Sequence, residues 1–175
     1  MTIIVCPLSR APHIARLNKV SHVVSLLDPD TPFPIIKEVA DRHLRLEVHD
    51  IEEDEEGMDP LCATRTKHIL DFVGLWDRSQ PILIHCYAGI SRSTATAFIT
   101  ACAHNPDIDE RAIAKALRDV SPTATPNRRF VALADAALAR KGRMSAAIEA
   151  IGRGYPRWPD IREAEPFTLP SRFAA

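Results

Sequence analysis

The chain has 175 residues and a formal net charge of −1, which fits one domain with a sizeable core. The balanced charge predicts no general electrostatic attraction to nucleic acid or to an anionic membrane. No apolar run approaches the roughly 20 residues of a membrane span, and the N-terminus lacks a basic lead-in to an apolar leader, so we expect a cytoplasmic protein. The four cysteines have no CxxC spacing, which suggests neither a zinc site nor a disulfide framework.

The predicted elements alternate between strands and helices along the chain. Runs of β-branched and other apolar residues predict strands at residues 2–5, 22–27, 43–48 and 81–84. Apolar residues at helical spacing predict helices at residues 9–18, 60–76, 91–102, 109–120, 127–140 and 145–151. This alternation implies an α/β fold with a central, mostly parallel sheet of four to five strands and helices on both faces.

The C-terminal residues 153–175 differ in composition from the rest. Their four prolines exclude a long helix, and their aromatic residues would leave an exposed apolar patch unless the segment packs against something. These aromatic residues are Tyr155, Trp158, Phe167 and Phe173. We predict one domain over residues 1–152, and an extended tail over residues 153–175 that packs on that domain or on a second copy in a homodimer. The tail is assigned no chemical role.

The segment from His85 to Ser93 carries the chemistry that the sequence predicts. It follows a buried strand and opens a helix, so its backbone N–H groups should converge at a helix N-terminus and bind an anion. The guanidinium of Arg92 could then bind the same anion in bidentate fashion, and the positive field would stabilise the thiolate of Cys86. A thiolate beneath a bound phosphate is placed to attack it, which indicates phosphoryl transfer.

This segment, His-Cys followed by five residues and Arg-Ser, resembles the signature of the cysteine-dependent protein tyrosine and dual-specificity phosphatases. Compact, bacterial dual-specificity-like members are the most similar, and residues 116–122 and 126–130 resemble the family's later helix-turn-helix pattern. The resemblance implies the dual-specificity phosphatase fold. It also implies a phosphoric monoester hydrolase without a cofactor, acting on phosphotyrosine, or on phosphoserine and phosphothreonine, through a phosphocysteine intermediate.

The resemblance also implies a role for individual residues. Cys86 would be the nucleophile, and Arg92 would bind the phosphate and stabilise the transition state. Ser93 would assist the departure of the sulfur, while His85 and Asn127 would support the loop. The residues expected to surround the phosphate are Tyr87, Ala88, Gly89, Ile90, Ser91 and Arg92. No metal ligand is assigned.

A carboxylic acid must protonate the leaving oxygen, and the family places it on a neighbouring loop. Seven acidic residues lie between positions 50 and 59. We assign Asp50, which follows the third predicted strand as the family's acid does. Asp54, whose spacing from the cysteine is closer to that of compact members, and Asp59 remain alternatives.

The loop carries no lysine, whereas relatives that act on phosphoinositides tend to have lysines there. With the acidic segment nearby, like-charge repulsion disfavours polyanionic substrates and favours a phosphorylated protein or a small phosphate monoester. Two alternatives remain open: a phosphate-binding pseudophosphatase module and a rhodanese-like sulfurtransferase. The intact Cys86, Arg92 and Ser93 disfavour the first, and the loop length with its Arg-Ser ending disfavours the second.

Overall fold

A computed structural model of the chain describes residues 1–156 and 160–174. Its sheet has five strands in the order β3-β2-β4-β1-β5. The strands are β1 (Thr2–Pro7), β2 (His22–Leu27), β3 (His43–Glu47), β4 (Ile82–Cys86) and β5 (Phe167–Pro170). Pairs β3-β2, β2-β4 and β4-β1 are parallel, and β5 is antiparallel to β1. The predicted α/β class with a mostly parallel sheet is therefore confirmed.

Six α-helices accompany the sheet in the described residues. They are α1 (Ala11–Leu17), α2 (Ala63–Gly74), α3 (Arg92–His104), α4 (Glu110–Val120), α5 (Arg128–Ala137) and α6 (Arg143–Ile151). The first predicted helix is shorter than expected, because a 3-10 turn at Leu8–Arg10 precedes it. Ser9 does not cap that helix; its hydroxyl donates instead to a carboxylate oxygen of Glu163 at 2.8 Å. The described helices are all too short or too polar to cross a lipid bilayer.

Hydrophobic cores lie on both faces of the sheet. The larger one packs β1, β2 and β4 against α2 to α6, with Trp76, Phe98 and Phe130 among its largest fully buried side chains. The smaller one packs the opposite face of the sheet against α1, including Ile14. Covering both faces is what a parallel sheet requires, because its strands are apolar on either side.

Helix α3 lies in the middle of the larger core, and every residue from Arg92 to Cys102 is buried. Its small Ala and Thr residues allow this close packing. The hydroxyls of Thr94, Thr96 and Thr100 each donate to a carbonyl oxygen four residues earlier, at 2.6–2.9 Å, so that their polar groups are satisfied inside the core. This packing fixes the N-terminus of α3, where the predicted site lies.

The C-terminal tail contacts its own chain through β5. Thr2 pairs with Pro170 and Val5 with Phe167 along the edge of the sheet, and the side chain of Leu169 is fully buried. Beyond β5, the backbone N–H of Ser171 donates to the carbonyl of Met1 at 3.1 Å. Trp158 lies outside the described residues, and the division of the chain at residue 152 stays a prediction.

Candidate active site

The loop between β4 and α3 forms the centre of the site. Cys86 is the last residue of β4 and Arg92 the first of α3, so residues 87–91 make the turn. Gly89 has a φ of +75°, and a Cβ there would lie 2.9 Å from the backbone nitrogen of Pro7. A side chain at this position is therefore excluded both by the backbone angle and by the neighbouring strand.

Among the described residues, most backbone N–H groups of the loop have no hydrogen-bond acceptor, and one is directed at the cysteine sulfur. That of Gly89 donates to the Sγ of Cys86 at 3.3 Å. Within residues 1–156 and 160–174, the N–H groups of Tyr87, Ala88, Ile90 and Ser91 donate no hydrogen bond. Free amides at the N-terminus of a buried helix are the arrangement that binds an oxyanion.

Cys86 lies at the floor of the site and is only 2% exposed. Its Sγ lies 3.1 Å from the hydroxyl oxygen of Ser93, which is fully buried on the first turn of α3. The Ser93 hydroxyl and the Gly89 N–H are therefore two donors available to a thiolate at Cys86. The role of Ser93 in assisting the departure of the sulfur stays a prediction.

Arg92 is buried, and hydrogen bonds from its Nη1 hold the guanidinium group in place. Its Nη1 donates to Asp28 Oδ1 at 3.0 Å and to the carbonyl oxygen of Val48 at 2.7 Å. Its buried Nε has no hydrogen-bond partner in the described structure and lies 3.8 Å from Asp50 Oδ2. An unpaired buried donor costs about 1–3 kcal/mol, which a bound anion would offset.

Asp50 lines the same cavity as Cys86. Its Oδ1 accepts hydrogen bonds from the Ser91 hydroxyl at 2.7 Å and from Asn127 Nδ2 at 2.9 Å. Asn127 also caps α5, since its Oδ1 accepts from the backbone N–H of Phe130 at 3.1 Å. The predicted supporting residue therefore does two things: it begins a helix and it orients the candidate acid.

The two alternative acids lie elsewhere. Asp54 forms an ion pair with Arg129 at 2.9 Å, and its side chain is 84% exposed. Asp59 accepts two hydrogen bonds from Arg65, at 2.7 and 2.5 Å, which lower the pKa of its carboxyl. Neither residue is part of the cavity lining. Of the three candidates, geometry favours Asp50.

His85 is fully buried behind the loop. Its Nε2 lies 2.5 Å from the hydroxyl oxygen of Ser25, which is 2.7 Å from Nε2 of His43. Burial lowers the pKa of both histidines to about 4, so both rings are neutral near pH 7. His85 lies outside the cavity lining, and its supporting role stays a prediction.

The cavity has a volume of about 450 Å³. Its lining combines the loop with residues from four other segments: Asp28, Asp50, Cys86, Tyr87, Ala88, Ile90, Ser91, Arg92, Thr125, Arg153 and Arg162. In the described part of the chain, no group of three or more His, Cys, Asp or Glu side chains is arranged to hold a metal ion.

Four lining residues were not predicted from the sequence: Asp28, Thr125, Arg153 and Arg162. Asp28 follows the end of β2, so its place at the carboxyl edge of a parallel sheet was a signal that could have found it. Arg153 and Arg162 come from the C-terminal tail, for which the sequence predicts no chemical role. No local pattern in the sequence brings these two residues to the loop.

A scan of protein-family models finds no match to the sequence, and a search of curated proteins finds no relative. Solved structures do match. DUSP15 aligns with a TM-score of 0.60 at 21% identity, over 83% of this chain and 89% of its own. The PTP-2 phosphatase of Cydia pomonella aligns with a TM-score of 0.56 at 24% identity, over 75% of this chain and 83% of its own.

A third similar structure is the human tyrosine phosphatase-like serine/threonine/tyrosine-interacting protein. It aligns with a TM-score of 0.59 at 18% identity, over 77% of this chain and 89% of its own. The chain therefore has the fold of the dual-specificity phosphatases. The resemblance that the sequence predicts is confirmed at the level of the fold.

Proposed function

We propose that this protein is a phosphoric monoester hydrolase, and specifically a protein phosphatase that works through a phosphocysteine intermediate. One observation carries the proposal. The Sγ of Cys86 lies at the floor of a cavity where unpaired loop amides and the unpaired Nε of Arg92 leave room for an oxyanion. Similarity to solved phosphatase structures supports the same class of reaction.

In the first step, the phosphate oxygens bind to the loop amides and to Arg92. The thiolate of Cys86 attacks phosphorus, so that an S–P bond forms while the bond to the leaving oxygen breaks. Arg92 and the amides stabilise the charge on the equatorial oxygens. Asp50 gives its proton to the leaving oxygen, which departs as an alcohol or phenol.

In the second step, water attacks the phosphocysteine. Asp50, now a carboxylate, takes a proton from the water while the new O–P bond forms and the S–P bond breaks. The sulfur leaves as a thiolate that accepts from the Ser93 hydroxyl and the Gly89 N–H, 3.1 and 3.3 Å away. Inorganic phosphate then dissociates, and the enzyme returns to its starting state.

A phosphorylated side chain suits the shape of the cavity. Three residues of the loop itself, Tyr87, Ala88 and Ile90, add apolar side chains to the cavity lining, against which an aromatic ring can pack. We therefore favour phosphotyrosine as substrate, with phosphoserine and phosphothreonine as the dual-specificity extension. A small aryl phosphate should be accepted for the same reason.

A second candidate function is phosphate binding without turnover. It is favoured by the similarity to the human protein whose name describes it as phosphatase-like and interacting. The two functions differ in one measurable respect, since only the enzyme releases phosphate. A rhodanese-like sulfurtransferase would instead consume thiosulfate.

The test compares turnover of an aryl phosphate and of thiosulfate by the wild type and three variants. Cys86→Ser should lose activity by about 10³-fold or more, because the nucleophile is gone. Arg92→Lys should lose about 10²-fold, because an ammonium cannot reproduce the bidentate fork. Cys62→Ser is the matched control, since Cys62 is exposed and lies outside the cavity.

The proposal further expects that a chelator leaves the rate unchanged. Wild-type protein that binds vanadate without releasing phosphate would support the binding module instead. Turnover of thiosulfate in place of aryl phosphate would support the sulfurtransferase. Full activity of Cys86→Ser would exclude Cys86 as the nucleophile.

A further inference from the structure

Arg153 and Arg162 line the cavity next to the phosphate-binding loop, and the mechanism above uses neither. Both residues are exposed. Within residues 1–156 and 160–174, neither side chain forms an ion pair or a hydrogen bond. Two free guanidinium groups beside a site for a dianion call for an explanation, because like charges gathered at one place repel each other.

The backbone around both arginines is attached to the site itself. The N–H of Gly154 donates to the Thr125 hydroxyl oxygen at 3.0 Å, and the N–H of Thr125 donates to the carbonyl oxygen of Ile90 at 2.9 Å. On the other side, the N–H of Ala164 donates to the carbonyl oxygen of Ala88 at 2.9 Å. The positions of residues 153 and 162 are thus tied to the loop that would hold the reacting phosphate.

Glycine is required where the first attachment is made. A Cβ at Gly154 would lie 2.3 Å from the carbonyl carbon of Thr123, a distance that no side chain tolerates. The backbone of the tail at Gly154 is therefore in direct contact with the Thr123–Thr125 backbone, with no room for a side chain between them. This approach brings Arg153 to the cavity.

Three acids lie close to Arg162 in sequence: Asp160 forms no ion pair within the described residues, and Glu163 and Glu165 are occupied elsewhere. Glu163 accepts from the Ser9 hydroxyl at 2.8 Å, and Glu165 pairs with Arg10 at 2.9 Å. Inside the cavity, Asp28 accepts from Arg92 and Asp50 accepts from Ser91 and Asn127. The positive charges of Arg153 and Arg162 are therefore available to an anion that enters the cavity.

The acidic segment that follows β3 lies beside Arg153 but not beside Arg162. Glu52, Glu53 and Glu55 line an adjacent groove, which Arg153 borders and Arg162 does not. Of the acidic residues at positions 50–59, Asp50 alone lines the main cavity. The like-charge repulsion expected from the sequence therefore acts on one side of the site, and the side of Arg162 is open to a second anion.

We propose that Arg153 and Arg162 form a subsite for a second anionic group of a phosphorylated peptide. That group is a carboxylate or a second phosphate on a residue beside the one whose phosphate reacts. Guanidinium groups bind either oxyanion in bidentate fashion. This inference rests on the proposed phosphatase function and adds to it the kind of substrate that the enzyme prefers.

The experiment compares three phosphotyrosine peptides that differ at the two positions flanking the phosphotyrosine, which carry Asn, Asp or phosphoserine. Wild type should cleave the Asp peptide with a kcat/KM about 3- to 10-fold above that of the Asn peptide, the effect of one or two solvent-exposed ion pairs. The phosphoserine peptide shows whether a second phosphate is preferred over a carboxylate.

The variant Arg153→Gln/Arg162→Gln should bring the Asp-to-Asn ratio close to one. The ratio is taken within each enzyme, so it does not depend on a change in overall rate. The matched control is Arg172→Gln, an exposed arginine of the same tail that lies outside the cavity, and it should keep the wild-type ratio. Added salt should lower the ratio in wild type and leave it unchanged in the double variant.

Two outcomes would overturn the subsite: equal kcat/KM on all three peptides in wild type, or a preference that survives in the double variant. Hydrolysis of a small aryl phosphate tests the proposed function separately. If the aryl phosphate is not hydrolysed, binding of the same peptides, carrying a fluorescent label, is measured by fluorescence anisotropy and tests the subsite. Tighter binding of the Asp peptide, lost in the double variant, supports the subsite without catalysis, and equal binding overturns it.

Discussion

The side chain of Asp50 joins three separate segments of the chain at one cavity. It accepts from Ser91 in the loop between β4 and α3 and from Asn127 at the start of α5, and it lies 3.8 Å from the Nε of Arg92. These contacts fix the carboxyl group beside the place where a leaving oxygen would depart. A general acid has to be positioned in this way before its proton can be useful.

We therefore predict that Asp50→Asn lowers kcat by about 10²–10⁴-fold for a phosphopeptide, because the leaving oxygen loses its proton donor. The loss should be much smaller for an aryl phosphate whose leaving group is stable as an anion. Steady-state rates on both substrates across the pH range measure the effect. The basic limb of the pH profile should flatten in this variant.

Asp54→Asn and Asp59→Asn serve as controls of identical chemistry on the same segment. Their ion pairs with Arg129 and Arg65 lie outside the cavity, so both should retain near wild-type rates. If Asp54→Asn or Asp59→Asn carries the large loss and Asp50→Asn does not, the assignment of the acid is wrong.

At the scale of single residues, the sequence predicted the site residues that lie close together in the chain. The positions of Cys86, Gly89 and Arg92 follow from one strand, one turn and one helix N-terminus, all adjacent in the chain. Asp28, Arg153 and Arg162 reach the cavity only through the order of the strands and the path of the tail. Such contacts between distant segments leave no periodic signal in the sequence.

At the scale of elements, three neighbouring strands are connected through a chain of buried polar side chains. Ser25 on β2 lies between His43 on β3 and His85 on β4, with distances of 2.7 and 2.5 Å. Cys86 directly follows His85, so this connection supports the strand end that carries the sulfur. The sequence predicted these strands, but not which of them are neighbours.

We predict a pH-dependent stability from these histidines. Burial lowers the pKa of His43 from 6.5 to about 4. Between these values the unfolded chain binds a proton that the folded protein does not. The free energy of unfolding is therefore highest above pH 6.5 and decreases as the pH falls toward 4. For His43 the loss at pH 5 is on the order of 1–2 kcal/mol.

Urea unfolding at pH 7.5 and pH 5 measures this difference. His43→Gln keeps a hydrogen-bonding amide and does not titrate, so the decrease in the free energy of unfolding between the two pH values should be smaller than in wild type. His13→Gln, at an exposed position on α1, should keep the wild-type decrease. An unchanged decrease in His43→Gln would show that His43 does not contribute to it.

At the scale of the whole molecule, the C-terminal tail packs against the N-terminal strand and so connects the two ends of the chain. It adds β5 to the edge of the sheet beside β1, and its earlier part is attached to the loop between β4 and α3 through Ala164. The sequence predicted that this aromatic, proline-rich segment packs in extended form. It gave no signal for the pairing partner, because a four-residue strand that is preceded by Pro166 and ends at Pro170 carries almost no register information.

The tail should contribute to stability chiefly through Leu169, whose side chain is fully buried against the larger core. Leu169→Ala should lower the free energy of unfolding by about 2–5 kcal/mol, because it removes buried apolar surface and leaves a cavity. Thr168→Ala, on the exposed face of the same strand, should change it by no more than about 0.5 kcal/mol. Chemical unfolding measures both, with the mass in solution determined alongside.

Packing on the same chain predicts a monomer and a midpoint independent of protein concentration. A dimer that dissociates on Leu169→Ala, with a concentration-dependent midpoint, would instead place the tail on a second copy.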